Sequence, residues 1–476
     1  MIQFFNRTSK KKEVFKSLKE GKVGIYSCGP TVYWNQHIGH MYAYVVWDVL
    51  VRFLRFSGFE VNWIMNITDV GHLTSDEDTG EDKMEKGAKR EKLTVWQIAE
   101  KYTGQFIASL ELLNIQKPEV LSRATEHIKE QIELIKKIEG NGFTYRTKTG
   151  LVFDTNKFTD YAKFAGLKLD EQAAGARVMV DKEKKSPWDF LLWVTNQPKH
   201  IMQWDSPWGR GFPGWHIECT AMSTKYLGER FDIHTGGTEH IKVHHTNEIA
   251  QAHGAFGHKI VNYWLHNGWL TLKGKKMSKS KGNMLLVTDL IDKGFDPMHF
   301  RYLVLTSHYR KGIVFDFQAL EAAKVAYERL IEMIKGWSSE DEKKTGRGLS
   351  QEKLTKIEGL RAEFVEVLSD DLNTAKALAS VWRLVKSNLS SLDKLELVTE
   401  FDRVLGLNLI EKAKKETKQK ETIKVSEEID KLARERKILR EKGEFEKADE
   451  LRRKIEKKGW LIEDLPSGNY QLLSKK

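Results

Sequence analysis

The sequence predicts an α/β fold with a parallel sheet in its N-terminal part, followed by an α-helical bundle and a small C-terminal α+β domain. Residues 20–70 contain a β-prone run at Val23–Ser27, helical spacing at Met41–Leu50 and a second β-prone run at Val61–Asp69. A strand, a helix and a strand in this order are typical of parallel strands joined by a crossover. From 354 to 401 the apolar residues are spaced as in helices, which predicts the bundle.

The second β-prone run ends in polar residues, as expected where strands of an open α/β sheet face a ligand crevice. No Gly-x-Gly-x-x-Gly pattern follows the first run, which disfavours a dinucleotide-dependent oxidoreductase. The polar stretch Thr74–Lys83 is predicted to be an exposed loop, and helical spacing returns from Thr94 to Leu113.

Residues 120–200 are predicted to form an inserted unit of mixed structure. It contains a helix at Ala124–Gly140 and a strand hairpin at Phe143–Asp154, and the chain returns to the character of the main sheet at Trp188–Trp193. Phe231–Gly237 is predicted to be a buried strand that ends in a turn.

The second half of the chain is predicted to be mainly helical. His244–His253 is predicted to be a helix that stops at Gly254, and residues 298–340 show helical spacing. Asp370–Thr374 is a plausible break and cap. Glu411–Lys420 has few apolar residues, which predicts a solvated linker or a frayed helix.

The C-terminal unit is predicted to be a helical hairpin with a strand-like tail. Its helices are Ile429–Lys442 and Phe445–Lys458, broken at Gly443, and its tail is Trp460–Asp464. These patterns predict an α/β domain in two halves at 1–119 and 201–270, an insertion at 120–200, a lysine-loop region at 271–330, a helical bundle at 331–410, a linker at 411–425 and a terminal domain at 426–476.

Composition restricts the class of protein. With 40% hydrophobic and 30% charged residues, the chain has a globular balance, and it has no run of 18 apolar residues that would predict a membrane span. The first residues, Met1–Arg7, show no signal-peptide core, so we expect a cytoplasmic protein without membrane contact. The net charge of +11 allows a polyanionic partner without requiring one.

Two cysteines, Cys28 and Cys219, are present. A single disulfide is the weaker interpretation, because no secretion signal accompanies them. A metal site built on these thiols needs further ligands from His, Asp or Glu.

The first β-prone run leads into residues 28–40, which read Cys-Gly-Pro-Thr-Val-Tyr-Trp-Asn-Gln-His-Ile-Gly-His, and the first predicted helix follows. Backbone N–H groups at the start of such a helix bind anions. His37 and His40 can each donate to phosphate oxygens, and Gly39 lets a nucleotide approach the backbone. The histidine pair alone is not decisive.

A second motif at 276–283, Lys-Met-Ser-Lys-Ser-Lys-Gly-Asn, is a cationic loop between glycines. Its lysines can close over a triphosphate and follow the charge as pyrophosphate leaves. Lys276 and Lys279, with His37 and His40, are therefore candidate ATP-binding and catalytic residues. In this order the two motifs resemble those of class I aminoacyl-tRNA synthetases.

The candidate metal ligands are the two thiols with His244 and Glu248, which lie four residues apart on one face of a predicted helix. Thiolate, imidazole and carboxylate are all zinc ligands. Three motifs together resemble the zinc site of cysteinyl-tRNA synthetases, namely Cys28-Gly-Pro, Trp-His-Ile-Glu-Cys219 and His244-His-Thr-Asn-Glu248. His240 lies four residues before His244 and could compete as a ligand.

His245 is the poorer candidate ligand, because on a helix it points about 100° away from its neighbour His244. By resemblance Trp215 forms a wall of the cysteine pocket, although a tryptophan of the core is an equally good interpretation. Thr68 and His234, at predicted strand ends, are weaker candidates for substrate contacts.

The resemblance extends from Ile25 to Pro466 and implies a Rossmann-like class I catalytic domain with a connective insertion, and an anticodon-binding domain at 426–476. It implies that L-cysteine and Mg-ATP give cysteinyl-adenylate and pyrophosphate, and that the cysteinyl group passes to the 3′ end of tRNA(Cys). It also implies one Zn²⁺ per chain, which would select the substrate thiolate because it binds neutral hydroxyls weakly. We expect a monomer.

Two positions depart from the family pattern. Glu239 stands where the family commonly has an Asp near the pocket, and Thr235 stands where many members have Gly. The longer side chain of Glu239 puts its contact with the substrate ammonium group in doubt.

The basic helical hairpin resembles the anticodon-binding domain, and Trp460 or Tyr470 could stack on an unpaired base. Taken alone, it would more often be an ordinary solvated helix pair. One rival is the related cysteine ligase of the mycothiol pathway, which lacks this domain, so Ser426–Gly468 favours the synthetase. A second rival is a non-catalytic RNA-binding relative, which is disfavoured by the intact residues His37, His40, Lys276 and Lys279.

Overall fold

A computed structural model of the chain describes residues 1–71, 82–166, 183–272, 275–276, 284–337, 351–422, 427–464 and 470–474. Most of the predicted loop Thr74–Lys83 and the predicted ATP contact Lys279 lie outside the described residues.

The described strands and helices are numbered along the chain. The strands are β1 Gln3–Asn6, β2 Lys11–Val14, β3 Lys22–Ser27, β4 Glu60–Ile67, β5 Val120–Arg123, β6 Thr144–Thr147, β7 Gly150–Phe153, β8 Phe190–Thr195, β9 Gly211–Pro213, β10 Phe231–Gly237, β11 Val261–Asn267, β12 Leu270–Leu272, β13 Lys275–Lys276, β14 Ile313–Phe315, β15 Trp460–Asp464 and β16 Tyr470–Ser474. The α-helices are α1 Ile38–Phe56, α2 Lys83–Glu91, α3 Val95–Leu112, α4 Ile128–Gly140, α5 Tyr161–Ala165, α6 Trp215–Leu227, α7 His244–Phe256, α8 Val287–Asp292, α9 Pro297–Leu305, α10 Phe317–Lys335, α11 Gln351–Ser369, α12 Thr374–Val385, α13 Ser391–Leu405, α14 Leu409–Thr422, α15 Glu427–Glu441 and α16 Phe445–Lys457.

The chain divides into two compact units. The first comprises Met1–Met333 with Trp337–Asn408, and the second comprises Ile334–Gly336 with Leu409–Lys476.

The first unit is built on the predicted parallel sheet. Its strand order is β11-β10-β3-β4-β5, and every neighbouring pair is parallel. From β3 the chain adds strands β4 and β5 on one side, and β10 and β11 are added on the other side. Open α/β sheets form their ligand crevice at such a switch in strand order, which lies here between β3 and β10. Helix α1 follows β3, as the spacing of its apolar residues predicted, and it is buried on most sides, with every residue from Tyr44 to Val51 buried.

The insertion carries its own antiparallel sheet, in the order β6-β7-β8-β9. The prediction that Trp188–Trp193 returns to the main sheet was wrong, because β8 pairs with β7 and β9 instead. Every residue of β8 is buried. A continuous apolar run of this kind is typical of parallel strands, so its pattern alone could not reveal the antiparallel pairing.

Helix α7 is longer than predicted. It continues through Gly254 to Phe256 and ends at Gly257, which has the left-handed φ of +71°. Gly254 has a packing role, because a Cβ there would lie 3.0 Å from the ring of Phe153. The predicted helical stretch 298–340 is likewise divided, since the short strand β14 separates α9 from α10.

The predicted helical bundle is formed by α11, α12 and α13, and Asn373 caps α12 by accepting from the N–H of Lys376. The buried Arg301 of α9 links this bundle to α1. Its guanidinium donates to the carboxylate of Asp48 in α1 and to the carbonyl of Leu405 at the end of α13. The pair is 0% exposed on both sides, so the charges are neutralised within the core.

The second unit contains the predicted hairpin, α15 and α16, with Gly443 at a φ of +76° between them. Strands β15 and β16 pair antiparallel, and Ile462 of β15 packs with Ile429 and Ile455 of the two helices. Residues 411–425 were predicted to be a linker or a frayed helix, and the structure has the helix α14 over most of them.

Among the described residues, no helix combines the length and the apolar character needed to cross a membrane.

Candidate functional site

A cleft with a volume of about 740 Å³ opens at the carboxyl ends of the parallel strands. The loops after β3, β4 and β10 contribute to its walls, together with the start of α1 and α6. Six of the residues singled out from the sequence as phosphate or substrate contacts line it, namely His37, Gly39, His40, Thr68, Trp215 and Glu239.

The two histidines of the first motif lie together at the N-terminus of α1. His37 caps the helix, and its Nδ1 accepts from the backbone N–H of His40 at 3.3 Å. The two imidazole rings stack with centroids 3.7 Å apart. A helix N-terminus with two ring N–H donors suits phosphate oxygens.

Gly29 lets the loop after β3 approach β4 closely. Its N–H donates to Asn66 Oδ1 at 2.7 Å, and a Cβ at this position would lie 1.7 Å from the backbone oxygen of Asn66. Only glycine fits here, and the contact places Cys28 at the base of the cleft.

The four predicted metal ligands converge beside these residues. One ligand atom from each of Cys28, Cys219, His244 and Glu248 lies within 4.8 Å of the other three. Three of these residues are buried and Cys28 is half-buried. His244 Nε2 lies 3.1 Å from Glu248 Oε1, as their spacing on one helix face predicted.

A second group satisfies the same distance criterion and contains Cys28, His234, His245 and Glu248. His245, the poorer candidate by helical geometry, has its Nε2 3.2 Å from Cys28 Sγ. Its position 100° around α7 turns it toward the end of β3 and not away from the cluster. The competitor His240 belongs to neither group of four, although its ring centroid is 5.3 Å from that of His244.

The thiols and their neighbours are electrostatically coupled. A hydrogen bond from Cys28 lowers the pKa of Cys219 to about 7, whereas burial raises the pKa of Cys28 well above its usual value. Burial disfavours the charged form of His244, but Cys219 and Glu248 raise its pKa to about 10. Burial opposes ionisation of Glu248 too, yet His234 and His244 lower its pKa to about 2. The cluster therefore favours the carboxylate form of Glu248 and makes Cys219 easier to ionise than Cys28.

Several buried histidines support this cluster. His234 Nε2 lies 2.9 Å from Glu248 Oε2, and His216 Nδ1 lies 2.9 Å from His244 Nδ1. His266 in turn contacts the ring of His245, with 2.7 Å between Nε2 and Nδ1. Sequence reasoning named His216 only as part of the Cys219 motif, and it missed His266, which lies in β11 at a distance from every predicted ligand motif.

The predicted substrate residues are not equivalent in position. Thr68 is buried at the wall of the cleft, and its hydroxyl donates to Glu218 at 2.9 Å. His234 does not line the cleft but lies beneath it, where its ring stacks on Trp264 at 4.4 Å. Trp215 is partly exposed in the cleft, so it is not simply a tryptophan of the core.

Lys83 also lines the cleft, and its Nζ lies 5.5 Å from the ring centroid of Trp215. The sequence placed this lysine at the end of an exposed loop and therefore missed it. Lys276 lies in the short strand β13, which pairs with β12 directly beside the cleft residue Leu270.

In the second unit, not every basic residue of the hairpin is available to a partner. Arg436 is buried, with 1% of its side chain exposed, and donates to both oxygens of Asp464 at 2.7 and 2.9 Å. Trp460 and Tyr470, the predicted stacking residues, pack against the small core of this unit.

Comparisons with known proteins are consistent with this site. A family model described as "tRNA synthetases class I (C) catalytic domain" matches residues 14–325. The cysteine–tRNA ligase of Treponema denticola is 45% identical, with 97% of this chain and 98% of that protein covered. Cysteine–tRNA ligase 1 of Burkholderia lata is 43% identical, with 98% and 96% covered.

A cysteine–tRNA ligase of Thermus thermophilus is 39% identical, with 98% of both chains covered. A solved structure of Mycobacterium tuberculosis methionyl-tRNA synthetase, bound by methionyl-adenylate, has a similar fold, with a TM-score of 0.58 at 15% identity. That comparison covers 82% of this chain and 90% of the other. On the identity and coverage of these relatives, the chain belongs to the cysteine–tRNA ligase family of class I tRNA synthetases.

Proposed function

We propose that this chain activates L-cysteine with ATP to cysteinyl-adenylate and pyrophosphate, and then transfers the cysteinyl group to the 3′ end of tRNA(Cys). The observation that carries the proposal is the convergence of Cys28, Cys219, His244 and Glu248 within 4.8 Å, where the first three residues also line the cleft that holds His37. A soft ligand set beside a phosphate-binding helix start fits an enzyme that must recognise a thiol next to ATP.

The residues present fit a zinc ion. Thiols, an imidazole and a carboxylate are all donors that bind zinc in proteins. Glu248 Oε1 is buried and accepts no hydrogen bond from the described residues, although His244 Nε2 is 3.1 Å away. When bound here, zinc would supply a soft Lewis acid that prefers the thiolate of cysteine to the hydroxyl of serine.

Of the two possible ligand groups, we assign the one that contains both thiols. In this assignment His234 and His245 orient ligands by hydrogen bonding, as outer partners of metal ligands commonly do. His234 would hold Glu248 from behind, and burial lowers the pKa of His245 well below its usual value, which keeps that ring neutral beside Cys28.

The chain's own residues would act mainly by positioning and by stabilising charge. His37 and His40 would donate to the phosphates of Mg-ATP from the start of α1, and Gly39 would admit the nucleotide. Lys276 and Lys279 would neutralise the charge that develops as pyrophosphate leaves. The substrate carboxylate is the nucleophile, so no protein nucleophile is needed.

Recognition of the rest of the amino acid would fall to Thr68, Trp215 and Glu239. All three line the cleft, and Glu239 is exposed to it, so its carboxylate can reach the substrate ammonium despite standing in place of Asp. The exposed basic residues of α15 and α16 would bind tRNA near its anticodon. We also propose a monomer with a cytoplasmic location, where its tRNA substrate is charged.

One experiment tests the central assignment. ATP–pyrophosphate exchange should depend on cysteine, and the purified protein should contain one zinc at this site. Cys219→Ser should lose that zinc and lose most of its discrimination against serine, because the site would then lack one of its two thiolates. Retention of the zinc in Cys219→Ser would contradict the ligand assignment. Failure to charge tRNA despite cysteine-dependent exchange would contradict the second step.

A further inference from the structure

A second cluster of metal-ligating side chains lies outside the cleft. Asp82 and Glu85 come from the start of α2, and His200 comes from the segment between β8 and β9 of the insertion. One ligand atom from each lies within 4.8 Å of the other two. The side chains of Asp82 and His200 are each only 4% exposed.

The three side chains are held by contacts that leave their ligand atoms facing one another. Asp82 Oδ1 accepts from the N–H of Glu85 at 2.7 Å, and Glu85 Oε1 accepts from the N–H of Ile201 at 2.9 Å. The ring of His200 stacks on Phe212 at 3.9 Å and 12°. Outer contacts that fix ligand orientation in this way are typical of metal sites.

The second carboxylate oxygen of Asp82 supports a metal ligand role most directly. Asp82 Oδ2 is buried and accepts no hydrogen bond from the described residues, although His200 Nε2 is 2.6 Å away. The carbonyl oxygen of Gly71 lies 3.3 Å from the same nitrogen. A Cβ on Gly71 would lie 1.8 Å from Asp82 Oδ2, so a larger residue there would have to displace the Asp82 carboxylate.

The charges of the cluster favour a cation. A hydrogen bond between His200 and Asp82 would satisfy one carboxylate at most, whereas Glu85 brings a second into the same partly buried space. Two carboxylates near each other are costly without a compensating positive charge. Oxygen and imidazole donors without sulfur suit a divalent ion such as Mn²⁺ or Zn²⁺.

We propose that Asp82, Glu85 and His200 bind a divalent cation of the Mn²⁺ or Zn²⁺ type, with the carbonyl of Gly71 as a further ligand. The ion joins the insertion to the first turn of α2. The next residue of that turn, Lys83, lies in the cleft, so the ion also fixes one wall of the candidate active site.

The test measures metal binding by the full-length protein that already carries its zinc. Mn²⁺ is titrated in and followed by electron paramagnetic resonance, and Zn²⁺ is measured separately by equilibrium dialysis. We expect one saturable site beyond that of Cys219. His200→Gln and Glu85→Gln should each weaken it by at least about 100-fold, since even outer partners of ligands contribute 10–100-fold.

The controls separate this site from the first. Glu85→Gln keeps an acceptor for the N–H of Ile201, so it tests the charge without removing that contact. His258→Gln, a histidine outside both clusters, should bind the ion as the unaltered protein does, and so should Cys219→Ser. The proposal is overturned if neither metal binds at a further site, because the cluster is then an Asp–His contact only. It is also overturned if binding is as tight in His200→Gln as in the unaltered protein, because the ion then binds elsewhere.

Discussion

The buried carboxyl group of Asp69 should make the stability of the first unit depend on pH. Asp69 follows Thr68 at the end of β4 and is 2% exposed. It accepts from the backbone N–H of Thr125 at 2.9 Å and from the hydroxyl of the same residue at 2.7 Å. Burial raises the pKa of Asp69 to about 6, and the hydrogen bonds from Thr125 only partly offset this effect.

The direction and size of this pH dependence follow from the difference between the folded-state and unfolded-state pKa values of Asp69. The folded-state pKa lies above the unfolded value, so the neutral acid is favoured in the folded protein. Its stabilising contribution is complete below about pH 4 and is lost as the pH rises through about 6. A shift of roughly two units corresponds to about 3 kcal/mol at 1.36 kcal/mol per unit.

Asp69→Asn isolates this contribution, because the amide stays neutral while its oxygen can still accept from the N–H of Thr125. Urea unfolding of both proteins, followed by tryptophan fluorescence, is measured from pH 4 to pH 7.5. From pH 4 to pH 7.5 the free energy of unfolding of the variant should rise by about 3 kcal/mol relative to that of the unaltered protein. Parallel stability curves would show that the carboxyl group has an ordinary pKa and would refute the reasoning.

Two further predictions concern the motifs of the site. Gly29→Ala should lower both the thermal unfolding temperature and the zinc content. The added Cβ would lie 1.7 Å from the backbone oxygen of Asn66 and would displace Cys28. Unchanged zinc content would show that the loop relaxes without moving the thiol. Lys279→Ala should lower the single-turnover rate of adenylate formation by several orders of magnitude with little loss of cysteine affinity, and an unchanged rate would exclude its role at the phosphates.

Sequence reasoning was most successful where a periodic pattern coincided with a chemical constraint. The pairing of His244 with Glu248 follows from their separation by one helical turn, and the structure brings both to the two thiols. The parallel sheet was predictable because β3 and β4 are short apolar runs separated by a helix-length segment.

The failures have a common physical origin, because they depend on what lies opposite a residue in space. Helical geometry ranked His245 as the poorer ligand candidate, but it could not show that this direction leads to Cys28, a residue more than 200 positions away. Gly254 was predicted to end a helix, whereas it gives room to the ring of Phe153 in the insertion. Local patterns contain no information about such partners.

The buried contact between Arg301 and Asp48 has a mechanical consequence. Helix α1 carries the two stacked histidines at one end, and the guanidinium of Arg301 fastens its middle to the last turn of α13. Sliding the bundle along α1 would expose an unpaired charge inside the protein, which is costly. A shift of the bundle against α1 is therefore resisted at Asp48, in the same helix whose N-terminus carries His37 and His40.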